Sequence, residues 1–381
     1  MPVEQILTNA RIVTAEQEFV GTLVLRDGLI AQVEEGVSGL PQAQNLNGDY
    51  LLPGLVELHT DNLEKYMSPR PGVDWPSASA VLTHDAQIAS AGITTVFDAL
   101  AIGDVNPRGK RMQQLPAMLE AIASAAAAGH MRADHRLHLR CEVCHPETLA
   151  VFRDLVEHPL VQLVSVMDHA PGQRQFAKED KYREYYMGKY HLSETEMNAF
   201  IVEQVDNSRQ YSDRQRRSIV ADCQARGISV ASHDDATLAH VQESASFGMS
   251  IAEFPTTLEA AKASHELGLK VLMGAPNIVR GGSHSGNIAA AKLAQHGVLD
   301  ILSSDYYPSS LLQAALLLAG QDNGYDLPRA IATVSRVPAQ AAGLDDRGEI
   351  RVGLRADLVQ AQVYGGQAVI QQVWRQAKRV F

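Results

Sequence analysis

The stretch LPGLVELHTDN at residues 52–62 decides the fold, because its Pro-Gly step is followed by a short apolar run. Such a run is typical of a buried strand, which here ends at His59 and Asp61. Strand side chains alternate between two faces, so these two residues share one face and can bind one metal ion together. A strand end with two solvated polar side chains is an equal alternative at this point. The other strand ends of the chain decide between the two interpretations.

The size and charge of the chain limit the classes of function. Its 381 residues exceed one ordinary domain, and we expect one large core with a small second unit. Its 33 Lys and Arg residues and 44 Asp and Glu residues give a net charge of −11, which argues against nucleic acid and anionic membranes as partners. No apolar run reaches the roughly 18 residues of a membrane span, and no secretory pattern opens the chain, so we expect a cytoplasmic protein.

The three cysteines are too few for a disulfide framework. Cys141 and Cys144 form a C-x-x-C pair, which is a redox or zinc motif in some proteins. Cys141, however, lies in an apolar strand pattern together with Leu139 and Val143. We therefore interpret the pair as core packing.

Both ends of the chain have the pattern of short strands separated by turns. Residues 1–51 contain alternating segments and an Asp27-Gly28 hairpin signal, and residues 345–381 continue in the same pattern. We predict that these two ends fold together into one composite β-sandwich domain.

The middle of the chain, residues 52–344, alternates apolar strands with helical segments, which is typical of βα units and a parallel sheet. Eight strands close a barrel, so the predicted fold class is α/β, with a (β/α)8 TIM-like catalytic barrel. One connection, residues 170–227, is too long for a simple crossover and predicts a lid or binding loop. The eight strands are predicted at residues 55–59, 94–99, 137–143, 161–168, 228–232, 249–254, 270–274 and 300–304.

Polar residues recur where these strands end, which is where a barrel enzyme has its active site. Histidines and carboxylates that converge from different strands are typical of a catalytic divalent metal site with one position left for water. A single member can be a satisfied interior residue, but agreement of five strand ends favours a metal site. The predicted metal ligands are His59, Asp61, Glu142, His169, His233 and Asp305.

The order of these ligands resembles the amidohydrolase superfamily. The resemblance begins with PGLVELHTD at residues 53–61, continues through Glu142, and includes the tail GEIRVGLRADLV at residues 348–359. It implies a metal-dependent barrel joined to a small β-sandwich made from both chain ends. Most members have His-x-His on the first strand, whereas this chain has Asp61 in place of the second histidine. The number of bound metal ions, one or two, therefore stays open. Mixed histidine and carboxylate ligands suit Zn first, and also Mn, Fe or Co.

Longer strings narrow the resemblance to the diphosphatases of the carbon-phosphorus lyase pathway in phosphonate catabolism. This resemblance implies hydrolysis of a ribose 1-methylphosphonate 5-triphosphate to the 5-phosphate and pyrophosphate. The alternative is a C–N bond hydrolase, such as a deaminase, cyclic amidase or deacetylase, because most superfamily members cleave C–N bonds. We expect a small-molecule substrate, and a homodimer is the working expectation for assembly. The strings lie at residues 59–76, 92–105, 136–143, 167–190, 231–237, 252–257, 275–287 and 302–312.

A polyanionic substrate needs local cations in an acidic chain. Residues 174–190 combine basic residues with tyrosines, which predicts a phosphate-binding lid or, alternatively, a solvated helix with i,i+4 ion pairs. Residues 280–287 form a glycine-containing segment before a helix, which predicts an anion-binding loop or, alternatively, a plain flexible loop. The predicted substrate-binding residues are Arg70, Arg174, Lys181, Arg183, Arg280, Ser283 and His284.

Two residues are predicted to be catalytic. We expect Asp305, at the end of the eighth strand, to accept the proton of the attacking water. His233, at the end of the fifth strand, is the second predicted catalytic residue and also a predicted metal ligand.

Overall fold

The structure is a computed structural model that describes residues 4–104, 109–176, 179–283, 286–320 and 323–381. Its strands form two eight-stranded sheets, one mixed and one parallel. The first part of the mixed sheet comes from the N-terminal region. Its strands are β1 (Glu4–Val13), β2 (Glu18–Arg26), β3 (Leu29–Glu35), β4 (Gln44–Asn45) and β5 (Tyr50–Pro53).

The parallel sheet is the predicted barrel, and its eight strands are hydrogen-bonded in chain order. A parallel bridge between Thr60 and Asp305 joins the first strand to the segment after the last. The prediction of an α/β barrel is therefore confirmed. The strands are β6 (Leu55–Thr60), β7 (Ile93–Ile102), β8 (Asp134–Glu142), β9 (Val161–Met167), β10 (Ser229–His233), β11 (Ile251–Glu253), β12 (Lys270–Gly274) and β13 (Ile301–Ser303).

The C-terminal strands complete the mixed sheet, as the sequence predicted for the two chain ends. β14 (Leu358–Tyr364) pairs antiparallel with β5, and β15 (Gln367–Arg375) and β16 (Lys378–Arg379) follow it at the sheet edge. One apolar core in this sheet combines residues from both ends of the chain, among them Leu7, Leu23, Leu51, Leu358 and Trp374. The precise domain limits, 1–51 with 345–381 against 52–344, stay a prediction.

Helices connect the barrel strands and cover the outside of the parallel sheet. Two of them begin at a threonine after a strand, because a threonine hydroxyl can accept a hydrogen bond from a free N–H of the first turn. Thr237 accepts from the His240 N–H at 3.3 Å, and Thr257 accepts from the Ala260 N–H at 3.1 Å. The helices before residue 170 are α1 (Leu63–Met67), α2 (Ser77–Ser90), α3 (Arg111–Ala127) and α4 (Thr148–Leu155).

The long connection after β9 has helices and an aromatic core of its own. It contains a 3-10 turn (Arg174–Phe176), α5 (Glu179–Tyr190), α6 (Glu194–Asn207), a π turn (Ser208–Ser212) and α7 (Asp213–Gln224). Its small core packs Phe176, Tyr182, Tyr186, Met197, Phe200 and Ile201. The remaining helices are α8 (Leu238–Ser246), α9 (Leu258–Glu266), α10 (Ala275–Arg280), α11 (Ala290–Gln295), α12 (Ser310–Ala319), α13 (Leu327–Ala332) and α14 (Arg336–Ala341). None of the helices in the described ranges is long and apolar enough to cross a membrane.

Buried ion pairs fasten this connection to the barrel. Arg174 is 3% exposed and pairs with Asp235 and with Glu243, the latter at 2.9 Å. Arg216 of α7 pairs with Glu243 at 3.1 Å and with Asp168 at 3.4 Å. Because a buried charge is expensive without its partner, these pairs fix where the connection leaves and rejoins the barrel.

A second buried polar cluster joins α2 to β7 and β8. Asp98 accepts hydrogen bonds from His84 Nε2 and His135 Nδ1, both at 2.7 Å. His135 Nε2 donates to Asp85 at 3.3 Å, and His84 Nδ1 lies 3.0 Å from the amide nitrogen of Asn62. Burial opposes the charged form of His135, but the two carboxylates outweigh it and raise the pKa of His135 to about 9.

This cluster predicts a pH dependence of stability. A histidine with a raised pKa contributes its full stabilisation when the pH is below its pKa in the unfolded chain, about 6.5. This contribution is lost as the pH rises through the pKa in the folded protein, about 9. His135→Gln should therefore lower the free energy of unfolding more at pH 6.5 than at pH 9.5, by a difference of about 3 kcal/mol or less. The thermal midpoint should accordingly fall further at pH 6.5. The exposed variant His130→Gln is the control. Equal destabilisation by His135→Gln at both pH values would show that His135 is not charged in the fold.

Candidate active site

A cavity of about 290 Å³ opens where the barrel strands end. Its lining includes histidines, carboxylates and arginines from several strands and the segments that follow them, and aromatic residues from the long connection. The structure brings all six predicted metal ligands to this cavity, although their role as ligands stays a prediction. These residues are His59, Asp61, Glu142, His169, His233 and Asp305.

Three residues at the barrel mouth have left-handed backbone conformations. Asp234, Phe254 and Asp305 directly follow or lie close after β10, β11 and β13, with φ values of 57°, 51° and 55°. Their N–H groups still donate to neighbouring strands, to Glu253 O, Leu272 O and His59 O respectively. Such conformations are unfavourable for residues other than glycine and cluster at functional sites. All three residues line the cavity.

Glu57 holds the first and last strands together beside the site. Its carboxylate accepts from the His59 N–H at 2.7 Å and from the Ser304 N–H at 2.5 Å. The Thr60 hydroxyl donates to Asp305 O at 2.6 Å across the same junction. Burial raises the pKa of Glu57 to about 7, against the lowering effect of these hydrogen bonds. The backbones that carry His59 and Asp305 are thereby fixed relative to each other.

Glu253 orients two of the histidines from below. Its carboxylate oxygens lie 3.1 Å from His59 Nδ1 and 3.1 Å from His233 Nδ1. Burial alone would raise the pKa of Glu253, but the neighbouring histidines outweigh burial and hold its pKa well below the usual value. Glu253 is thus an ionised acceptor, and the Nδ1–H groups donate to it. Nε2 of each ring is left to face the cavity, as in a histidine that binds a metal.

His169 lies between two carboxylates. Its Nδ1 is 2.5 Å from Glu142 Oε2, and its Nε2 is 3.5 Å from Asp234 Oδ2. Burial disfavours the charged ring, but the carboxylates outweigh it and raise the pKa of His169 to about 10. Donor atoms of His169, His233 and Asp234 all lie within 4.8 Å of one another. A divalent cation can take the place of the proton in such a group.

A further neutral nitrogen lies below this group. His138 Nδ1 donates to Leu58 O at 2.9 Å, and its Nε2 has no hydrogen-bond partner among the described residues. Burial lowers the pKa of His138 to about 3, so Nε2 carries a lone pair. It lies 3.9 Å from Glu253 and belongs to a second donor group with His59 and Glu253. Neutral imidazoles beside the carboxylates of the first group are a donor set that fits divalent metal ions, with Glu253 as the outer hydrogen-bond partner of His59 and His233.

Sequence reasoning missed Glu253 and Asp234. Both residues lie where a barrel strand ends, which was the signal used for the other ligands. His233 and Asp235 flank Asp234, and a string of three polar residues does not tell which side chain faces inward. Glu253 had the same signal on β11, a strand of only three residues. Cys144 is a buried free thiol whose Sγ lies 3.2 Å from Glu142 Oε1, consistent with a packing role.

Three of the predicted phosphate-binding cations, Arg70, Arg174 and Arg183, do not line the cavity. Arg174 is enclosed by the carboxylates described above, and Arg183 of α5 pairs with Glu179 at 2.9 Å, which is the i,i+4 alternative. Arg70 is exposed and does not line the cavity. Of the predicted set, Arg280 and Ser283 line the cavity. The side chain of Lys181 and all of His284 lie outside the described residues.

The long connection contributes aromatic rings to the cavity in place of arginines. Tyr185, Tyr186 and Tyr190 of α5 and the preceding Phe176 form part of its lining. Phe176 packs edge-on against His169, with ring centroids 6.1 Å apart. The connection therefore covers one side of the site, and its role as a lid or binding loop stays a prediction.

The glycine-containing segment lies between the end of one helix and the start of the next. Arg280 is the last residue of α10, and Gly281 ends that helix with φ 79°. The next helix begins only at Ala290, whose N–H is already bonded to the Asn277 side chain at 3.0 Å. Ser283 and Asn287 of this segment line the cavity, and its role as an anion-binding loop stays a prediction.

Comparison with known proteins supplies the family. The model of the amidohydrolase family matches residues 86–362. The chain belongs to the amidohydrolase family. A curated relative, the alpha-D-ribose 1-methylphosphonate 5-triphosphate diphosphatase of Escherichia coli (strain K12), is 54% identical over 377 residues, which cover 99% of this chain and 100% of the relative.

Solved structures show the same amidohydrolase fold at low sequence identity. N-acetyl-D-glucosamine-6-phosphate deacetylase from Mycobacterium smegmatis superposes with a TM-score of 0.66 at 16% identity, covering 99% of this chain and 100% of that chain. A 5-methylcytosine deaminase from Klebsiella pneumoniae has a TM-score of 0.63 at 16% identity, covering 99% and 97%. At this identity the likeness concerns the fold alone.

The role of Glu253 can be tested through metal affinity. Glu253→Gln keeps the size of the side chain but removes the charge that accepts from both Nδ1–H groups. We expect the affinity for zinc to fall about 10- to 100-fold, as when an outer partner of a ligating histidine is lost. Zinc retained after dialysis against graded chelator measures this. Glu259→Gln, on the exposed face of α9, should behave as the unaltered protein, and unchanged affinity in Glu253→Gln would contradict the assignment.

Proposed function

We propose that this amidohydrolase hydrolyses alpha-D-ribose 1-methylphosphonate 5-triphosphate to the 5-phosphate and pyrophosphate, in phosphonate catabolism. The observation that carries the proposal is the 54% identity, over 99% of the chain, to a diphosphatase that bears this substrate in its name. The cavity supports it, because histidines, carboxylates, arginines and tyrosines provide partners for phosphoryl groups, metal ions and a sugar. A cytoplasmic location and a homodimer belong to the same proposal.

The charge of the cavity couples substrate binding to metal binding. Its five lining carboxylates exceed its three lining arginines by two negative charges when the histidines are neutral. A polyanion would be repelled from such a lining. One divalent ion cancels this excess and a second reverses it, so we propose one or two ions, with zinc first. The carboxylates are Asp61, Asp104, Glu142, Asp234 and Asp305, and the arginines are Arg111, Arg140 and Arg280.

The residues proposed to hold the metal are the six predicted ligands together with Asp234. They are His59, Asp61, Glu142, His169, His233, Asp234 and Asp305. A bound divalent ion supplies Lewis acidity toward a phosphoryl oxygen and makes nearby water more acidic. Asp305 accepts the proton from the attacking water, from a position fixed by its hydrogen bonds to His59 O and Thr60. Burial lowers the pKa of His233, so its ring stays neutral and its Nε2 keeps a lone pair for the metal.

The tyrosines enclose the other side of the substrate. Tyr185, Tyr186 and Tyr190 present ring faces and edges to the cavity, where a ribose can pack against them. Phe254 contacts the rings of both His59 and His233, at centroid distances of 5.0 Å and 5.4 Å. These rings exclude water from the floor of the site, which strengthens the electrostatic interactions there.

Removal of metal separates this function from the alternative of a C–N hydrolase. Treatment with a chelator should abolish pyrophosphate release from the triphosphate, and added zinc or manganese should restore it. The same holoenzyme should release no ammonia or amine from amide and aminopyrimidine substrates. Pyrophosphate release that survives complete metal removal, or turnover with ammonia release only, would refute the proposed reaction.

Asp305 can be tested as the proton acceptor. Asp305→Asn keeps the size of the side chain and its backbone hydrogen bonds but cannot take a proton. We expect kcat for pyrophosphate release to fall at least about 100-fold, the usual contribution of a general base. Metal content and the thermal midpoint are measured alongside, and Asp345→Asn, at an exposed position outside the cavity, is the control. Near-normal turnover in metal-loaded Asp305→Asn would rule out this role.

A further inference from the structure

Arg140 is a charged side chain inside the barrel whose role in the proposed reaction is so far only its contribution to the cavity charge. It lies on β8, two residues before Glu142, and lines the cavity. Leu139 and Cys141 on either side of it are fully buried in the core between the sheet and the helices. Because strand side chains alternate, Arg140 shares the interior face with His138 below it and Glu142 above it.

The guanidinium of Arg140 has no partner within the described part of the chain. It takes part in no hydrogen bond or ion pair there, and its Nε is buried without an acceptor. Three other arginines around the barrel mouth have carboxylate partners. Their carboxylate partners are Glu64 for Arg111 at 2.8 Å, Glu243 for Arg174 at 2.9 Å, and Glu243 for Arg216 at 3.1 Å.

Arg140 lies beside the donor groups without pairing to them. It lines the same cavity as His233 and Asp234, which belong to one of these groups. Its positive charge therefore acts in the part of the cavity where a metal ion would lie. Bound metal ions repel a guanidinium in this position. An anion that binds both the metal and the guanidinium offsets this repulsion and supplies the missing hydrogen-bond acceptors.

We propose that Arg140 binds the phosphoryl group that is hydrolysed, through one or two of its non-bridging oxygens. A phosphoryl group is the anion that suits both neighbours, because guanidinium forms paired hydrogen bonds to phosphate oxygens and divalent ions coordinate them. The assignment rests on the proposed diphosphatase function. In this assignment Arg140 binds the reacting phosphoryl group. Arg280, which is exposed at the rim of the cavity, binds the part of the substrate farther from the reacting phosphorus.

Kinetics of two variants test the proposal. Arg140→Ala in the metal-loaded protein should lower kcat/KM for pyrophosphate release by about 100-fold or more, the scale of losing one fixed donor to a charged reacting group. Arg140→Lys should recover little of this loss, because a point charge does not reproduce the guanidinium fork. Guanidinium ion at low, non-denaturing concentration should restore part of the activity of Arg140→Ala and none to the unaltered protein. Arg153→Ala, on the exposed face of α4, is the control.

Stability and metal content distinguish binding from a structural role. Because Arg140 has no partner in the fold, Arg140→Ala should keep its zinc and its thermal midpoint. Loss of zinc in Arg140→Lys, where the positive charge is retained, would instead make Arg140 a structural element of the metal centre and overturn the proposal. Full activity in Arg140→Lys would also overturn it, by reducing the role of Arg140 to charge balance.

Direct binding of inorganic pyrophosphate separates this proposal from the proposed function. By calorimetry, zinc-loaded unaltered protein should bind pyrophosphate about tenfold or more tightly than Arg140→Ala does. If the unaltered protein shows this difference but does not hydrolyse the triphosphate, the proposed function fails and the anion site at Arg140 stands. If the triphosphate is hydrolysed and Arg140→Ala keeps both activity and pyrophosphate affinity, the proposal for Arg140 is wrong.

Discussion

The active site depends on one buried carboxylate, Glu253, placed between His59 and His233. Two hydrogen bonds of 3.1 Å settle the tautomer and direction of both rings at once. Without this charge, either ring could turn its other nitrogen toward the cavity and the donor set would lose its convergence. The carboxylate is fully buried, and the histidines around it make its ionised form acceptable there. Glu253 therefore links the chemistry of the cavity to the packing of the barrel interior.

Closure of the barrel beside the cavity fixes the positions of the other active-site residues. Glu57 and the Thr60–Asp305 bridge tie the first strand to the segment after the eighth. Left-handed residues such as Asp234 and Asp305 then turn the chain out of the strands while their N–H groups stay bonded to neighbours. The resulting lining is rich in carboxylates. Metal ions and the arginines of the site offset its negative charge.

The barrel and the polar strand ends were predictable because they are periodic features of the sequence. Apolar runs gave the eight strands, and His59, Glu142 and His233 stood at their ends. Partners distant in sequence were not predictable. The role of Arg174 changed because carboxylates from the loop after β10 and from α8 enclose it, and no local pattern indicates such a pairing. Conversely, strand alternation places Arg140 on the inward face, but only the three-dimensional structure shows that it has no partner among the described residues.

The central claim is that Glu253 binds the Nδ1–H groups of His59 and His233, so that their Nε2 atoms face the metal. Anomalous diffraction from crystals of the zinc-loaded protein measures this directly. The account predicts a zinc peak at the group formed by His169, His233 and Asp234, bonded to His233 Nε2, with Glu253 hydrogen-bonded to the histidines and not to zinc. A peak bonded directly to Glu253, or no peak at the mouth of the barrel, would contradict the account.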